Sequence, residues 1–155
     1  MKVAVISDVH ANLAALEAVL AATDAAGTDE LWCLGDLTGY GADPARCTQI
    51  VLERADVCLA GNHDMVITGE IGLEAFSSDA RTAAEWTMEV LAADDLERLR
   101  RLEPKGERQS GSSVMVFTPG WASGYCFTRR PIKTSRSCVA PARLTPGRSR
   151  PSTLR

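Results

Sequence analysis

The stretch Val3-Ala4-Val5-Ile6-Ser7-Asp8-Val9-His10 is an apolar run that stops at side chains able to bind a metal. The run from Val3 to Ile6 is continuous and rich in β-branched residues, and this pattern is typical of a parallel strand buried on both faces. We therefore expect a central first strand, with Asp8 and His10 just beyond its carboxyl end.

The same pattern occurs twice more. A second short run, residues 30–34, ends at Gly35-Asp36, and a third, residues 56–60, ends at Gly61-Asn62. Helical patterns separate the runs: one begins after the capping residue Asn12 and stops at Gly27, and the next carries residues 50–52. Strands alternating with helices predict an α/β fold of βαβ units, a parallel sheet flanked by helices in layers, with all three motif loops at one edge.

Residues 78–102 have a helical pattern that is interrupted near Asp94-Asp95. Trp86, Val90 and Leu91 fall on one stripe of this pattern, which we interpret as part of the core rather than as a platform for a substrate. The segment is expected to form a pair of helices that packs on the sheet.

The charge changes sign near Pro104. Residues 1–103 hold 7 Lys/Arg and 19 Asp/Glu, a net charge of −12, whereas residues 104–155 hold 10 Lys/Arg and one acidic residue, Glu107, a net charge of +9. We divide the chain into a domain at 1–103 and a basic tail at 104–155 that is rich in Pro, Gly, Ser and Arg. One more strand is expected at residues 113–118, and little packed structure after about residue 130.

The overall charge, the apolar runs and the cysteines indicate the binding partners and the cellular compartment of the protein. The formal net charge of the whole chain is −3, which implies no bulk affinity for nucleic acid. The basic tail has few aromatic residues, so we interpret it as an unselected, out-of-frame segment rather than as an arm that binds polyanions. No apolar run approaches the length of a signal peptide core or of a membrane span. The five cysteines, an odd number without a C-x-x-C pair, are interpreted as reduced and mostly buried: Cys33, Cys47, Cys58, Cys126 and Cys138. These features favour a cytoplasmic protein without a membrane partner.

The motifs Asp8-Val9-His10, Gly35-Asp36-Leu37-Thr38 and Gly61-Asn62-His63-Asp64 occur in this order and contain both histidines of the chain. In these residues the chain resembles the calcineurin-like metallophosphoesterase superfamily, in its small bacterial branch. The resemblance that we see covers about residues 1–103. It implies hydrolysis of phosphate monoesters or diesters at a dinuclear metal centre.

The resemblance also implies a role for each matching residue. Asp8 and His10 would bind one metal, Asp36 would bridge two metals, and Asn62 would bind the second. His63 would protonate the leaving oxygen or stabilise the transition state, with Asp64 orienting its ring. Two divalent ions are implied, Mn²⁺ first, with Fe, Zn, Ni or Mg as alternatives, together with a small phosphoester substrate.

The chain departs from the family pattern after His63, because no later histidine completes the metal shells. Thiolates of Cys126 and Cys138 suit Mn²⁺ or Mg²⁺ poorly. We therefore expect weakened metal binding and impaired activity, and we keep a non-catalytic module that binds a metal or a phosphorylated ligand as the alternative. The sequence leaves the oligomeric state open.

A change of reading frame between about residues 103 and 115 would explain the tail. The codons for residues 117–121 can be chosen so that, read one base later, they give Ser-Pro-Arg-Asp, which is similar to a tetrapeptide of this family branch. Loss of the later strands would leave apolar faces of the sheet uncovered and the product prone to aggregation. Gly39-Tyr40-Gly41 is interpreted as the turn after Asp36 rather than as a phosphate-binding loop.

Overall fold

The computed structural model of the chain describes residues 1–110, 113–117 and 128–131. Its strands are β1 Val3–Ile6, β2 Glu30–Cys33, β3 Val57–Cys58, β4 Gly106–Ser110, β5 Ser113–Phe117 and β6 Thr128–Pro131. Its helices are α1 Leu13–Ala25, α2 Pro44–Arg54, α3 Asn62–Ile67, α4 Ser78–Val90 and α5 Ala93–Arg100, with a 3₁₀ turn at Leu73–Ala75. The helix α3 was not expected from the sequence.

The first sheet is parallel and confirms the α/β prediction. Its strand order is β1-β2-β3, with Val5 paired to Trp32 and Cys33 paired to Cys58. The expectation of a central first strand was wrong, because β2 occupies the centre and β1 lies at an edge of the sheet formed by the described residues. The expectation that β1 is buried on both faces was also wrong, because Val5 is 44% exposed on one face.

Local signals in the sequence set the ends of the first two helices. The side chain of Asn12 caps α1 by accepting a hydrogen bond from the N–H of Ala15 (3.1 Å), and Gly27 follows the helix with φ +62°. Pro44 begins α2, where its missing N–H is not needed by the helix. Within the described residues, no helix combines the length and the apolar character required to cross a lipid bilayer.

Side chains of β2 alternate between two clusters. Leu31 and Cys33 pack with buried residues of all the helices, whereas Trp32 packs on the opposite face with Leu34 and Leu59. Trp32 is fully buried and Leu59 is 3% exposed. The expectation of an uncovered sheet was therefore wrong for this face of β2 and β3.

The buried face of the helix α4 differs from the predicted one and consists mainly of small residues. Trp86 and Val90 are 41% and 45% exposed, so the expectation that both belong to the core was wrong. The buried positions of this segment are instead Ala80, Ala84, Thr87 and Leu91. Their spacing of three or four residues also makes a helical stripe, and small side chains allow closer packing on neighbouring elements.

The last three strands form a second, antiparallel sheet in the order β4-β5-β6. The predicted strand at residues 113–118 is confirmed as β5, whereas β4 and β6 were not expected. The chain passes to this sheet beside β3, where the N–H of Ala60 donates to the carbonyl of Glu103 (3.0 Å). The predicted lack of packed structure after about residue 130 falls almost wholly outside the described residues, as do Cys126 and Cys138.

Candidate metal centre

The loop after β1 is hydrogen-bonded in register to the loop after β2. The N–H groups of Asp8, His10 and Ala11 donate to the carbonyls of Gly35, Asp36 and Leu37, at 3.1, 2.9 and 2.9 Å. Parallel strands end at the same edge of a sheet, and here their backbone pairing continues into the loops. This pairing brings the first two motifs together, as predicted.

The side chains of Asp8, His10 and Asp36 converge at this edge. One ligand atom from each lies within 4.8 Å of the others. Asp36 is buried, His10 is half-buried and Asp8 is exposed, so the group opens to solvent on one side. Two carboxylates and an imidazole are donors that suit divalent metals such as Mn²⁺, Fe²⁺ or Zn²⁺.

The hydrogen bonding of His10 leaves one ring nitrogen available. Its Nδ1 lies 3.0 Å from the carbonyl oxygen of Thr38, which can only accept, so Nδ1 carries the proton. In the neutral ring, Nε2 is therefore the nitrogen with the lone pair that a metal would use, and it lies 3.7 Å from Oδ1 of Asp8. A carbonyl that fixes the tautomer in this way is typical of a metal-binding histidine.

A residue of the third motif holds the carboxylate of Asp36 in position. Its Oδ1 accepts a hydrogen bond from the backbone N–H of His63 at 2.9 Å. Burial raises the pKa of Asp36, and the negative charge of Asp8 adds to this, whereas the hydrogen bond from His63 and the nearby charge of His10 lower it. A buried carboxylate beside a second carboxylate is a position where a cation would offset both the desolvation and the repulsion.

The backbone around these ligands is strained. Asp8, His10, Ala11, Asp36 and Tyr40 all have left-handed φ angles, of 57°, 48°, 54°, 55° and 56°. This conformation is unfavourable by about 1 kcal/mol or more for any residue other than glycine. Five such residues in one place therefore indicate a functional site. These are also the only non-glycine residues with positive φ in the described part of the chain.

Two glycines allow the second and third loops to touch. A Cβ at Gly35 would overlap the backbone of Gly61, and a Cβ at Gly61 would overlap the backbone N and Oδ1 of Asp36. The glycines of the G-D and G-N motifs therefore serve close contact between loops. The sequence alone showed them only as the ends of strands.

Asn62 and His63 lie at the beginning of α3. Asn62 is its first residue and is half-buried, while His63 is buried. The His63 ring lies 4.7 Å from the His10 ring and 4.5 Å from the Phe76 ring, measured between centroids. Burial, with the nearby charge of His10, lowers the pKa of His63 to about 4, so the ring is uncharged at neutral pH. Its Nδ1 has no hydrogen-bond partner among the described residues.

Asp64 is buried, and its carboxylate accepts hydrogen bonds from the loops after β2 and β3 rather than from the ring of His63. Its Oδ1 accepts from the N–H and hydroxyl of Thr38 (3.0 and 2.8 Å), and its Oδ2 accepts from the N–H groups of Leu37 and Gly61 (3.2 and 3.0 Å). Burial raises the pKa of Asp64, while these hydrogen bonds act against the rise. The expectation that Asp64 orients the imidazole of His63 has no support in these four contacts.

Sequence reasoning did not place three residues in contact with the site: Thr38 and Phe76 had no role, and Tyr40 was only part of a predicted turn. Thr38 contacts both His10 and Asp64, Phe76 stacks at a tilt on His63, and the ring of Tyr40 lies 4.9 Å from the His10 ring. Thr38 follows Asp36 closely in the second motif, which was the available signal. Phe76 lies far from every motif, so only the fold could show it.

Comparison with known proteins agrees with this geometry. The family model of calcineurin-like phosphoesterases matches residues 1–126. The chain belongs to the calcineurin-like phosphoesterase family. The match extends beyond residue 103, where the resemblance visible in the motifs ended. The Asp/His/Asp group is a fitting donor set for the divalent metals typical of this family.

The chain is similar to proteins from several organisms. It is 38% identical over 116 residues to the uncharacterized protein MJ0912 of Methanocaldococcus jannaschii, an alignment that covers 75% of this chain and 48% of that protein. A metallophosphoesterase from Sphaerobacter thermophilus is 41% identical, with a TM-score of 0.58 and coverage of 74% and 45%. The hypothetical protein PH1004 from Pyrococcus horikoshii OT3 is 18% identical and shares the fold, with a TM-score of 0.59 and coverage of 74% and 52%. The chain thus spans about half the length of these relatives.

Proposed function

We propose that this chain carries the first part of a dinuclear metal centre that hydrolyses small phosphate monoesters or diesters in the cytoplasm. Support comes from membership of the calcineurin-like phosphoesterase family, from the convergence of the first two motifs, and from the hydrogen bond that the third motif donates to Asp36. The observation that carries the proposal is the group formed by Asp8, His10 and Asp36, whose ligand atoms lie within 4.8 Å of one another.

In this proposal Asp8 and His10 would hold one ion, Asp36 would serve both ions, and Asn62 would hold the second. Mn²⁺ is the metal that we expect first, with Fe, Zn, Ni or Mg as alternatives, since oxygen and imidazole donors suit several of these ions. When bound, two such ions would supply positive charge that offsets the charge of the phosphate and would lower the pKa of a water molecule.

His63 is proposed to act on the substrate rather than on the metal. Its ring is buried beside His10, and Asp36 accepts a hydrogen bond from its backbone N–H, so the metal loop and the imidazole are fixed together. A ring fixed in this position can donate a hydrogen bond to the leaving oxygen or to the phosphoryl group as charge develops there. Asp64 supports this arrangement through the backbone of the second and third loops.

Activity of this chain is proposed to be impaired. The 155 residues contain two histidines, His10 and His63, so no further imidazole completes the shells of the two ions. Fewer ligands reduce metal affinity, and a partly filled centre would hydrolyse phosphoesters slowly. The alternative function, a module that binds one metal or a phosphorylated ligand without turnover, rests on the same observation.

Turnover separates the two functions. We would measure release of p-nitrophenol from p-nitrophenyl phosphate and its bis ester with Mn²⁺, for the unaltered chain and for Asp36→Asn. Asp94→Asn, an exposed position at the start of α5, is the matched control. A phosphoesterase shows activity that is lost in Asp36→Asn and kept in Asp94→Asn. Binding of Mn²⁺ without turnover would leave the binding module as the function.

A further inference from the structure

The aromatic ring of Tyr40 lies beside the proposed metal centre and faces solvent. Its centroid is 4.9 Å from the ring centroids of both His10 and His63. It meets the His10 ring edge-on, at 74°, and the His63 ring at a tilt of 50°. The side chain is nevertheless 57% exposed. A large part of the ring is therefore free to contact a bound molecule.

The backbone fixes the ring in this position. The N–H of Gly41 donates to the carbonyls of His10 (2.9 Å) and Gly39 (2.7 Å), which closes a tight turn around Tyr40. A Cβ at Gly39 would lie 2.5 Å from Nδ1 of His63, and a Cβ at Gly41 would overlap the carbonyls of His10 and Ala11. The predicted turn after Asp36 is confirmed. It also packs tightly against the segments that carry the two histidines, which was not predicted.

Tyr40 holds this position at an energetic cost. Its φ of 56° is in the left-handed region, which glycine or asparagine adopts more easily than tyrosine does. A glycine would serve the turn equally well if the backbone alone mattered. The backbone conformation therefore does not explain why a tyrosine occupies this position, and the exposed ring must have a role of its own.

A cavity beside the ring is large enough for an organic ligand. Its volume is about 600 Å³, and its walls include Tyr40 together with Asp8, His10 and Asn12. This volume lies within the usual range for sites that bind small molecules. A molecule whose phosphate binds a metal held by Asp8 and His10 would have the rest of its body within reach of Tyr40.

We propose that Tyr40 determines specificity, its ring stacking against a planar group of the phosphoester, so that nucleotides or aryl esters bind better than aliphatic esters. This inference rests on the proposed phosphoesterase function and names the class of its substrate. Stacking needs an exposed and fixed aromatic face within reach of the phosphate, and Tyr40 supplies this face.

The test compares AMP with ribose 5-phosphate, which carries a hydroxyl group at C1 in place of the planar base. Binding of each to the Mn²⁺-loaded 155-residue chain is measured by calorimetry, and turnover by release of inorganic phosphate. The variants are Tyr40→Leu, which removes the aromatic face, and Tyr40→Phe, which keeps it. Trp86→Leu is the control, because Trp86 is an exposed aromatic residue that does not line this cavity.

We expect the unaltered chain to bind AMP about tenfold more tightly than ribose 5-phosphate. This preference should disappear in Tyr40→Leu and persist in Tyr40→Phe and Trp86→Leu. The inference is overturned if the unaltered chain shows no preference or binds neither compound. It is also overturned if Tyr40→Leu keeps the preference or weakens both compounds equally, since the ring would then only support the site.

The two proposals can fail separately. If no phosphoester is hydrolysed but the preference for AMP depends on Tyr40, the proposed catalytic function fails and the role of Tyr40 stands. If phosphoesters are hydrolysed but AMP has no advantage, the role of Tyr40 fails and the catalytic function stands.

Discussion

At the scale of single residues, the site depends on polar groups whose partners are specific atoms. His10 donates through Nδ1 to Thr38, Asp36 accepts from the backbone of His63, and the buried carboxylate of Asp64 accepts four hydrogen bonds. These contacts fix ligand directions that a flexible loop would leave free. The residue types and their order were predictable from the sequence, whereas the partners were not.

Asp64→Asn should destabilise the chain strongly. Each carboxylate oxygen of Asp64 accepts two hydrogen bonds from buried donors. An asparagine replaces one of these oxygens by an NH₂ group, which cannot accept, so two buried donors lose their partner. We expect a loss of about 3 kcal/mol in the free energy of unfolding, measured by urea denaturation. Asp79→Asn, at an exposed position in the first turn of α4, is the control and should cost less than about 1 kcal/mol. Equal stability of the two variants would show that Asp64 does not hold the loops.

The Cys47 thiol should be unreactive in the folded chain. Burial, and to a lesser extent the negative charges of Asp43 and Glu17, raises the pKa of Cys47 to about 11. At pH 8 its thiolate fraction is then on the order of a hundredfold lower than that of a thiol with the ordinary value. Peptide mapping after brief treatment with iodoacetamide should find Cys47 unmodified, and modified after unfolding in urea. Rapid labelling of Cys47 without denaturant would contradict its burial.

The same shift has a consequence at alkaline pH. Because the folded chain keeps the Cys47 proton up to about pH 11, it binds more protons than the unfolded chain above the ordinary thiol pKa. The contribution of this group to stability is therefore complete at neutral pH and falls as the pH rises through roughly 9 to 11.

At the scale of elements, the loops after β1, β2 and β3 act as one unit. Backbone hydrogen bonds join the first loop to the second, and glycines without room for a Cβ bring the second loop against the third. The strands and their order along the chain followed from apolar runs of four or five residues. The contact between loops did not, because it depends on backbone angles such as the left-handed φ of Asp36.

Gly61→Ala should disrupt this contact. Gly61 has an ordinary φ of −88°, so an alanine would suffer no backbone strain there, only overlap with Asp36. We expect a loss of about 3 kcal/mol in stability and at least about tenfold weaker Mn²⁺ binding. Gly27→Ala is the control: Gly27 has φ +62° but open space around it, so we expect about 1 kcal/mol of strain and unchanged metal binding. Similar effects of both substitutions on metal binding would contradict the contact.

The helix α4 shows why some elements were harder to predict. Large apolar side chains at Trp86 and Val90 suggested a core stripe, but the buried stripe consists of small residues and Thr87. Both stripes have helical spacing, so periodicity alone could not choose between them. The choice depends on how closely the helix approaches its neighbours, which is a property of the whole fold.

At the scale of the whole molecule, the parallel sheet is covered on both faces at its centre and less so at its β1 edge. Trp32 is fully buried on the face opposite the helices, while Val5, on the same face of the edge strand, is 44% exposed. The chain also spans about half the length of the relatives reported above. Aggregation of the isolated chain remains a prediction, and a monodisperse monomer with a sharp cooperative melt would contradict it.

Trp32→Ala and Trp86→Ala should differ widely in stability. Removing the buried indole of Trp32 leaves a large cavity, for which we expect a loss of about 3–5 kcal/mol. Removing the exposed indole of Trp86 should change the free energy of unfolding by about 0.5 kcal/mol. Urea denaturation followed by circular dichroism measures both. Comparable losses would mean that the sheet face at Trp32 is not buried as described.

The most direct test of the metal centre is calorimetric titration of the purified chain with Mn²⁺, beside an Asp8→Ala/Asp36→Ala double variant and the Asp94→Asn control. We predict saturable binding by the unaltered chain and by the control, and binding weakened by at least about tenfold in the double variant. Absence of binding by the unaltered chain, or equal binding by the double variant, would contradict a metal centre at Asp8, His10 and Asp36.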